Sequence, residues 1–159
     1  MKNRFLLLAF LLVSGLSYGD TKMTQATLEK IVKTMASQSK GNNGVVIFTY
    51  SNRTLYLISD VRHNRMRIIT PIIKYAHLTR KQIDAVLLSN YHKSLDARYA
   101  VSKNILFAAY IHPLSELTKT QIRSAVKQVV SLANTFGGKY SSGVLKFGGK
   151  KQKNNGLLL

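Results

Sequence analysis

LDARYAVSKNILFAAYIHP, residues Leu95 to Pro113, is the stretch on which the fold turns. It holds two runs of strand-forming residues, Arg98 to Val101 and Ile105 to His112, joined by Ser102, Lys103 and Asn104, a polar connection suited to a hairpin. Side chains alternate across a strand. Ile105, Phe107, Ala109 and Ile111 therefore face one way, and Leu106, Ala108, Tyr110 and His112 the other. Both sets are largely apolar, which predicts a strand inside a sheet covered on each side or nearly so.

Helical patterns flank this hairpin. Leu78-Thr79-Arg80-Lys81-Gln82-Ile83 and Leu117-Thr118-Lys119-Thr120-Gln121-Ile122 each offer a threonine N-cap, a glutamine three residues on, and a leucine and isoleucine placed for a hydrophobic staple. After the first, Ile83, Val86, Leu87 and Tyr91 share one helical face, and the helix is expected to end between His92 and Leu95. After the second, Ile122, Val126, Val129, Ala133 and Phe136 form a seam that Gly137-Gly138 terminates. Six of the ten glycines lie between Gly137 and Gly156, beside Lys146, Lys150, Lys151 and Lys153, so residues 139–159 are expected to form a flexible basic tail.

Toward the N-terminus, Leu28, Ile31, Val32 and Met35 recur at helical spacing, predicting a helix from about Thr24 to Ser37. Gly41 to Gly44 then break the pattern as a turn. Val45 to Tyr50 and Thr54 to Ser59, joined by Ser51-Asn52-Arg53, read as a second hairpin. Asp60 to Arg65 is a polar loop, and Met66 to Ile73 is a further strand. Pro71 cannot donate to a ladder, which places that strand at an edge or ends its pairing near Thr70.

The first nineteen residues read as an export leader: Lys2 and Arg4, then an apolar run from Phe5 to Val13, then small residues at Ser17 and Gly19. Cleavage is expected before Asp20, the alternative being an uncleaved anchor. Residues 20–138 are expected to form one α+β domain, periplasmic or secreted. The chain has no cysteine, so this domain must be stabilised by its core without disulfides. Of the 24 lysines and arginines, Lys2 and Arg4 belong to the leader; the remaining 22 face 6 acids, a net charge of +16. Such an imbalance favours polyanionic or acidic partners.

The element order α-βββ-α-ββ-α, with the run Asp96-Ala97-Arg98-Tyr99-Ala100-Val101 leading into Ile105 to His112 and the last helix, resembles the type III secretion chaperone-like fold and its YbjN-type relatives over about Thr24 to Phe136. The resemblance implies a five-stranded, mainly antiparallel sheet with flanking helices. It also implies a small non-enzymatic module, often homodimeric, that holds another polypeptide on its sheet and apolar patches. Two features depart from that family, whose secretion chaperones are typically acidic and cytoplasmic: this chain is strongly basic and carries an export leader.

The residues that carry chemistry are sparse. The six carboxylates, Asp20, Glu29, Asp60, Asp84, Asp96 and Glu116, form no close pair in sequence, and no phosphate-cradling glycine loop or paired-histidine zinc helix is present, so no catalytic, cofactor or metal site is expected. His92, Asp96 and His112 are the one set that could converge. The structural alternative is that His112 satisfies backbone groups at a strand end while Asp96 pairs with Arg98 or caps a turn.

Binding residues are better marked. Lys119, Arg123 and Lys127, four apart, form one basic stripe; Arg62, Arg65 and Arg67 cluster about a loop; Arg80 and Lys81 occupy a helix first turn, where cations oppose the dipole. Tyr50, Tyr56, Tyr75, Tyr99 and Tyr110 are candidates for stacking on bases or sugars, or for half-buried packing. The reading that follows is a binding module for a polypeptide partner, possible as a homodimer, with its basic residues tuned toward acidic partners. The alternative is a polyanion binder for nucleic acid, lipopolysaccharide or acidic polysaccharide.

Overall fold

A computed structural model of the chain describes residues 22–144. The expected leader and residues 145–159 of the expected tail lie outside them. The elements are α1 (Gln25–Met35), β1 (Gln38–Asn42), β2 (Val45–Tyr50), β3 (Arg53–Asp60), β4 (Arg65–Lys74), a 3-10 turn (Tyr75–His77), α2 (Arg80–His92), β5 (Arg98–Ser102), β6 (Ile105–Pro113) and α3 (Lys119–Asn134). The strands form a single six-stranded sheet in the order β1-β2-β3-β4-β6-β5, every pair antiparallel. No helix among the described residues is long and apolar enough to cross a membrane.

Local chemistry explains where the elements start and turn. Thr79 and Thr118 each accept a hydrogen bond from the backbone of the glutamine three residues on, and the side chains of Gln82 and Gln121 accept one from the backbone N–H of the cap, so both expected capping boxes are present. The β1–β2, β2–β3 and β5–β6 hairpins close through two-residue turns at Asn43-Gly44, Ser51-Asn52 and Lys103-Asn104, all six residues having positive φ. That pairing of left-handed residues matches the right-handed twist of the strands that it joins. The expected three-residue connections are therefore one residue too long.

The sixth strand is β1. Its sequence QSKGN carries no apolar alternation and all its residues are exposed, so it pairs with β2 through backbone alone. The buried Glu29 of α1 anchors its turn by accepting from the Gly44 N–H at 2.8 Å. Helix α1 ends at Met35, two residues before the expected limit, because the chain must straighten to enter this strand.

Strand β4 is interior, with β3 on one side and β6 on the other, which corrects the expected edge placement. Pairing with β3 stops at Tyr56–Ile69, before the proline, and the Thr70 hydroxyl donates to the Thr54 carbonyl at 2.8 Å. Pairing with β6 continues to Lys74, with a register shift between Pro71 and Ile73. Pro71 is thus tolerated where its neighbour on one side has already been replaced by a side chain and the ladder on the other side is irregular.

Helices α1 and α3 pack against each other and cover one face of the sheet. On that face Val46, Leu57, Ile68 and Tyr110 form one register row across four strands, and Phe48 lies opposite Leu55. Leu28 and Val32 of α1 and Ile122, Val126 and Val129 of α3 close over them, all fully buried. Each such side chain contributes about 1.5–3 kcal/mol of transfer free energy. Phe136 follows the end of α3 and sets its ring edge-on against Tyr99 and Tyr140.

The chain also stays packed beyond Gly138, where the free tail was expected to begin. Ser89 donates to the Tyr140 carbonyl, Thr135 Oγ1 donates to the Ser141 carbonyl at 2.8 Å, and Ser142 is buried. The Tyr140 ring packs on Tyr99 and Phe136, and serines supply the remaining contacts by hydrogen bonds, which composition does not mark.

Candidate functional site

The face of the sheet opposite α1 and α3 is open. Neighbouring strands place same-face residues in register, and two rows run across it. One is Val45, Ile58, Arg67 and Ile111; the other is Lys40, Ile47, Tyr56, Ile69, Ala109 and Arg98. In the first row Val45 is 50%, Ile58 37% and Ile111 59% exposed. The expectation that β6 is covered on both faces is therefore half met. Leu106, Ala108 and Tyr110 are buried beneath the helices, whereas Ile111 stands in solvent, because α2 lies along the β5 edge instead of over the second face.

At one end of this face a depression is lined by Ile58, Asp60, His63, Arg65, Arg67 and Ile111, with Met66 at its base. Aliphatic walls and a cationic rim meet there. Asp60 is already engaged: its carboxylate lies 2.6 Å from His63 Nδ1 and accepts from the His63 N–H at 3.1 Å, and these bonds hold its carboxyl below the ordinary aspartate value. Arg65 Nη1 donates to the Asn64 carbonyl at 3.0 Å. Among the described residues Arg67 makes no side-chain hydrogen bond or ion pair.

The basic residues marked in the sequence do not form one site. Arg65 and Arg67 share the open face, and Arg62 is exposed in the β3–β4 turn. Lys119, Arg123 and Lys127 do form an exposed stripe, but on the outer side of α3, separated from Arg67 by helix and sheet. Arg80 folds forward one turn onto Asp84, with Nε 3.0 Å from Oδ1, and this pair offsets its unfavourable place at the helix start; Lys81 beside it is exposed. Of the tyrosines, Tyr99 and Tyr110 are buried on the helical face and offer no stacking platform. Burial raises the hydroxyl of each above its ordinary value, and for Tyr110 the charge of Asp96 adds to it.

The histidine–aspartate set is only partly assembled. Asp96 and His112 line a common depression with Tyr110, Gln121 and Ser124, and His92 is not among its walls. His112 Nδ1 donates to the Pro113 carbonyl at 2.8 Å, and its ring stacks on Tyr110. Asp96 accepts from Gln128 Nε2 at 3.0 Å, and the expected pairing with Arg98 is absent because Arg98 turns to the Leu95 and Ala97 carbonyls. No group of His, Asp or Glu among the described residues is placed to hold a metal ion.

A second apolar patch lies on α2, where Leu87 is 62%, Leu88 60% and Tyr91 81% exposed. Leu87 and Tyr91 were expected to face inward. The buried side instead carries Val86 and Ser89, with Asn90 bonded to β5.

No protein-family model and no curated protein matches the chain. Solved structures do. A chain of the complex between the type III secretion chaperone SycH of Yersinia pestis and a stable fragment of YscM2 superposes with a TM-score of 0.53 at 17% identity, over 70% of this chain and 98% of that one. A chain of the HopA1–SchA chaperone–effector complex gives 0.53 at 10% identity, over 69% and 88%. A chain of the ExsC–ExsE complex gives 0.52 at 11%, over 69% and 90%. The fold is type III secretion chaperone-like, an α+β sheet with flanking helices and, here, a sixth strand.

Proposed function

We propose that this chain is an exported, non-enzymatic binding module that holds another polypeptide on the open face of its sheet. The observation that carries the reading is the row Val45, Ile58 and Ile111, aliphatic side chains left exposed on a chaperone-like fold whose other face is fully packed. Apolar side chains held in solvent by a rigid sheet offer transfer free energy to any segment that covers them. The structures of similar fold that are chaperone–effector or chaperone–fragment complexes support a protein partner.

The test is purification of the protein from its native source after crosslinking in the cell, alongside Ile58→Asp with Ile111→Asp. One polypeptide recovered in fixed proportion with the native chain and lost from the double variant is the expected result. A lone monomer in both preparations would end this reading. The exposed Leu87, Leu88 and Tyr91 of α2 suit a second copy of the chain, and we expect light scattering to report a dimer that Leu88→Asp converts to monomer.

A polyanion-binding reading is favoured by one observation, the exposed stripe of Lys119, Arg123 and Lys127 on α3. Binding to labelled DNA or an acidic polysaccharide must then fall steeply with salt and weaken when all three are replaced by alanine. Binding that vanishes well below physiological salt would leave the stripe as solvated surface.

A further inference from the structure

Arg67 stands between Ile58 and Ile111 in one register row, cationic and without a partner among the described residues, in the middle of the exposed aliphatic strip. We infer that the open face is selective for an acidic amphipathic segment of the partner polypeptide, one that sets a carboxylate on Arg67 between aliphatic side chains resting on Ile58 and Ile111. The inference rests on the polypeptide-binding reading and names the chemistry of what is bound.

Three arguments carry it. First, neighbouring strands lie about 4.8 Å apart, so the two isoleucines flank the arginine at roughly 10 Å from each other. Any segment that covers both must also cover the guanidinium. A guanidinium taken out of water without an acceptor opposes binding, whereas a carboxylate placed there forms a charge-assisted pair. The face thereby penalises neutral and basic segments as well as rewarding acidic ones.

Second, the surrounding charge is mainly cationic. Lys40, Arg65 and Arg98 share the face with Arg67 against one acid, Asp60, whose carboxylate is turned to His63 at 2.6 Å. Third, the other occupants fit poorly. A two-fold pairing of this face with a second copy would bring Arg65 and Arg67 against another basic strip. A nucleic acid would satisfy the cations while leaving Val45, Ile58 and Ile111 facing a phosphate backbone.

The experiment uses the full mature chain and four fluorescent peptides of equal length and helical pattern: leucine with glutamate, leucine with glutamine, leucine with lysine, and alanine with glutamate. Binding is read by anisotropy, and its place by amide shifts at Ile58, Arg67 and Ile111. The leucine–glutamate peptide is expected to bind on this face about tenfold or more tighter than the leucine–glutamine peptide. Arg67→Gln, a change on an exposed position whose folding is checked by thermal melting, is expected to erase that ratio from both sides, weakening leucine–glutamate binding and, by removing the unpaired guanidinium, tightening leucine–glutamine binding.

Equal binding of the glutamate and glutamine peptides on this face, or a ratio that survives Arg67→Gln, overturns the acidic selectivity and leaves polypeptide binding standing. Failure of every leucine peptide to shift this face removes the polypeptide-binding reading itself. Equal binding of the alanine–glutamate peptide overturns the amphipathic requirement in favour of a plain polyanion site. A concentration-dependent dimer that loses association in Arg67→Gln assigns the face to a second copy.

Discussion

The side-chain amide of Asn90 on α2 bonds both backbone groups of Tyr99 on β5: Nδ2 donates to the Tyr99 carbonyl at 3.1 Å, and Oδ1 accepts from the Tyr99 N–H at 2.8 Å. A primary amide used in this way imitates one residue of a neighbouring strand. It closes the outer edge of β5, which is the end of the sheet, near the start of the strand and sets the rotation of α2 about its axis.

Asn90→Ala is expected to leave both Tyr99 groups unpaired and to cost about 1–3 kcal/mol, read as a lower urea midpoint at unchanged m-value. Asn90→Asp keeps the acceptor and loses the donor, so its cost is expected to fall between wild type and alanine. An alanine variant as stable as wild type would show that water replaces the amide without penalty.

Gln128 does comparable work at the entrance to β5. Its Oε1 accepts from the backbone of Asp96 at 2.8 Å and Ala97 at 3.0 Å, and its Nε2 donates to the Asp96 carboxylate at 3.0 Å. Gln128→Leu keeps the volume but strands a buried backbone N–H at Ala97, for an expected loss of about 1–3 kcal/mol. Amide exchange at Ala97 is expected to accelerate by at least as much as the global opening does. Protection retained in the variant would show that the segment is held by packing alone.

Two glycines separate local strain from bland flexibility. At Gly41, φ is +94 and an added Cβ would lie 2.3 Å from the Val45 carbonyl oxygen; at Gly137, φ is +83 but nothing lies within 4 Å. Gly41→Ala is expected to destabilise by more than the roughly 1 kcal/mol of a left-handed alanine, because the β1–β2 backbone must move as well. Gly137→Ala is expected to cost about that 1 kcal/mol and no more. Equal losses at the two sites would mean that the clash at Gly41 relaxes freely.

The Asp60–His63 pair sets a pH dependence whose sign is fixed. Asp60 is held below its ordinary value of 3.8, chiefly by the side-chain bond to His63, so its contribution is present above the unfolded carboxylate value and is lost as pH falls through the lower folded value. Its carboxyl carbon resonance is expected to titrate below 3.8 and to move up toward that value in His63→Ala. The pair is exposed, so the thermal midpoint is expected to change little. A midpoint for Asp60 that does not move in the variant would remove His63 as the cause.

What was legible in the chain depended on how local its cause is. Both capping boxes are complete within four residues, and both were read where they form. Strand β1 was missed because QSKGN has no side-chain pattern to read; Asn43-Gly44, a strong turn dipeptide, was the available signal for the hairpin that contains it. On α2 the apolar residues Ile83, Val86, Leu87, Leu88 and Tyr91 offer more than one stripe, so the pattern alone could not choose the buried side.

The class of fold, the helix starts, five of the six strands and the basic character of the surface are local properties, because each depends on neighbours a few residues apart or on composition. It takes the packed sheet to show that β4 is interior despite Pro71, that α2 turns Leu87, Leu88 and Tyr91 to solvent, and that Arg67 falls between Ile58 and Ile111. Those three facts follow from strand order and register. They join residues 44 positions apart in the case of Arg67 and Ile111, and no short-range rule of periodicity or propensity reaches that far.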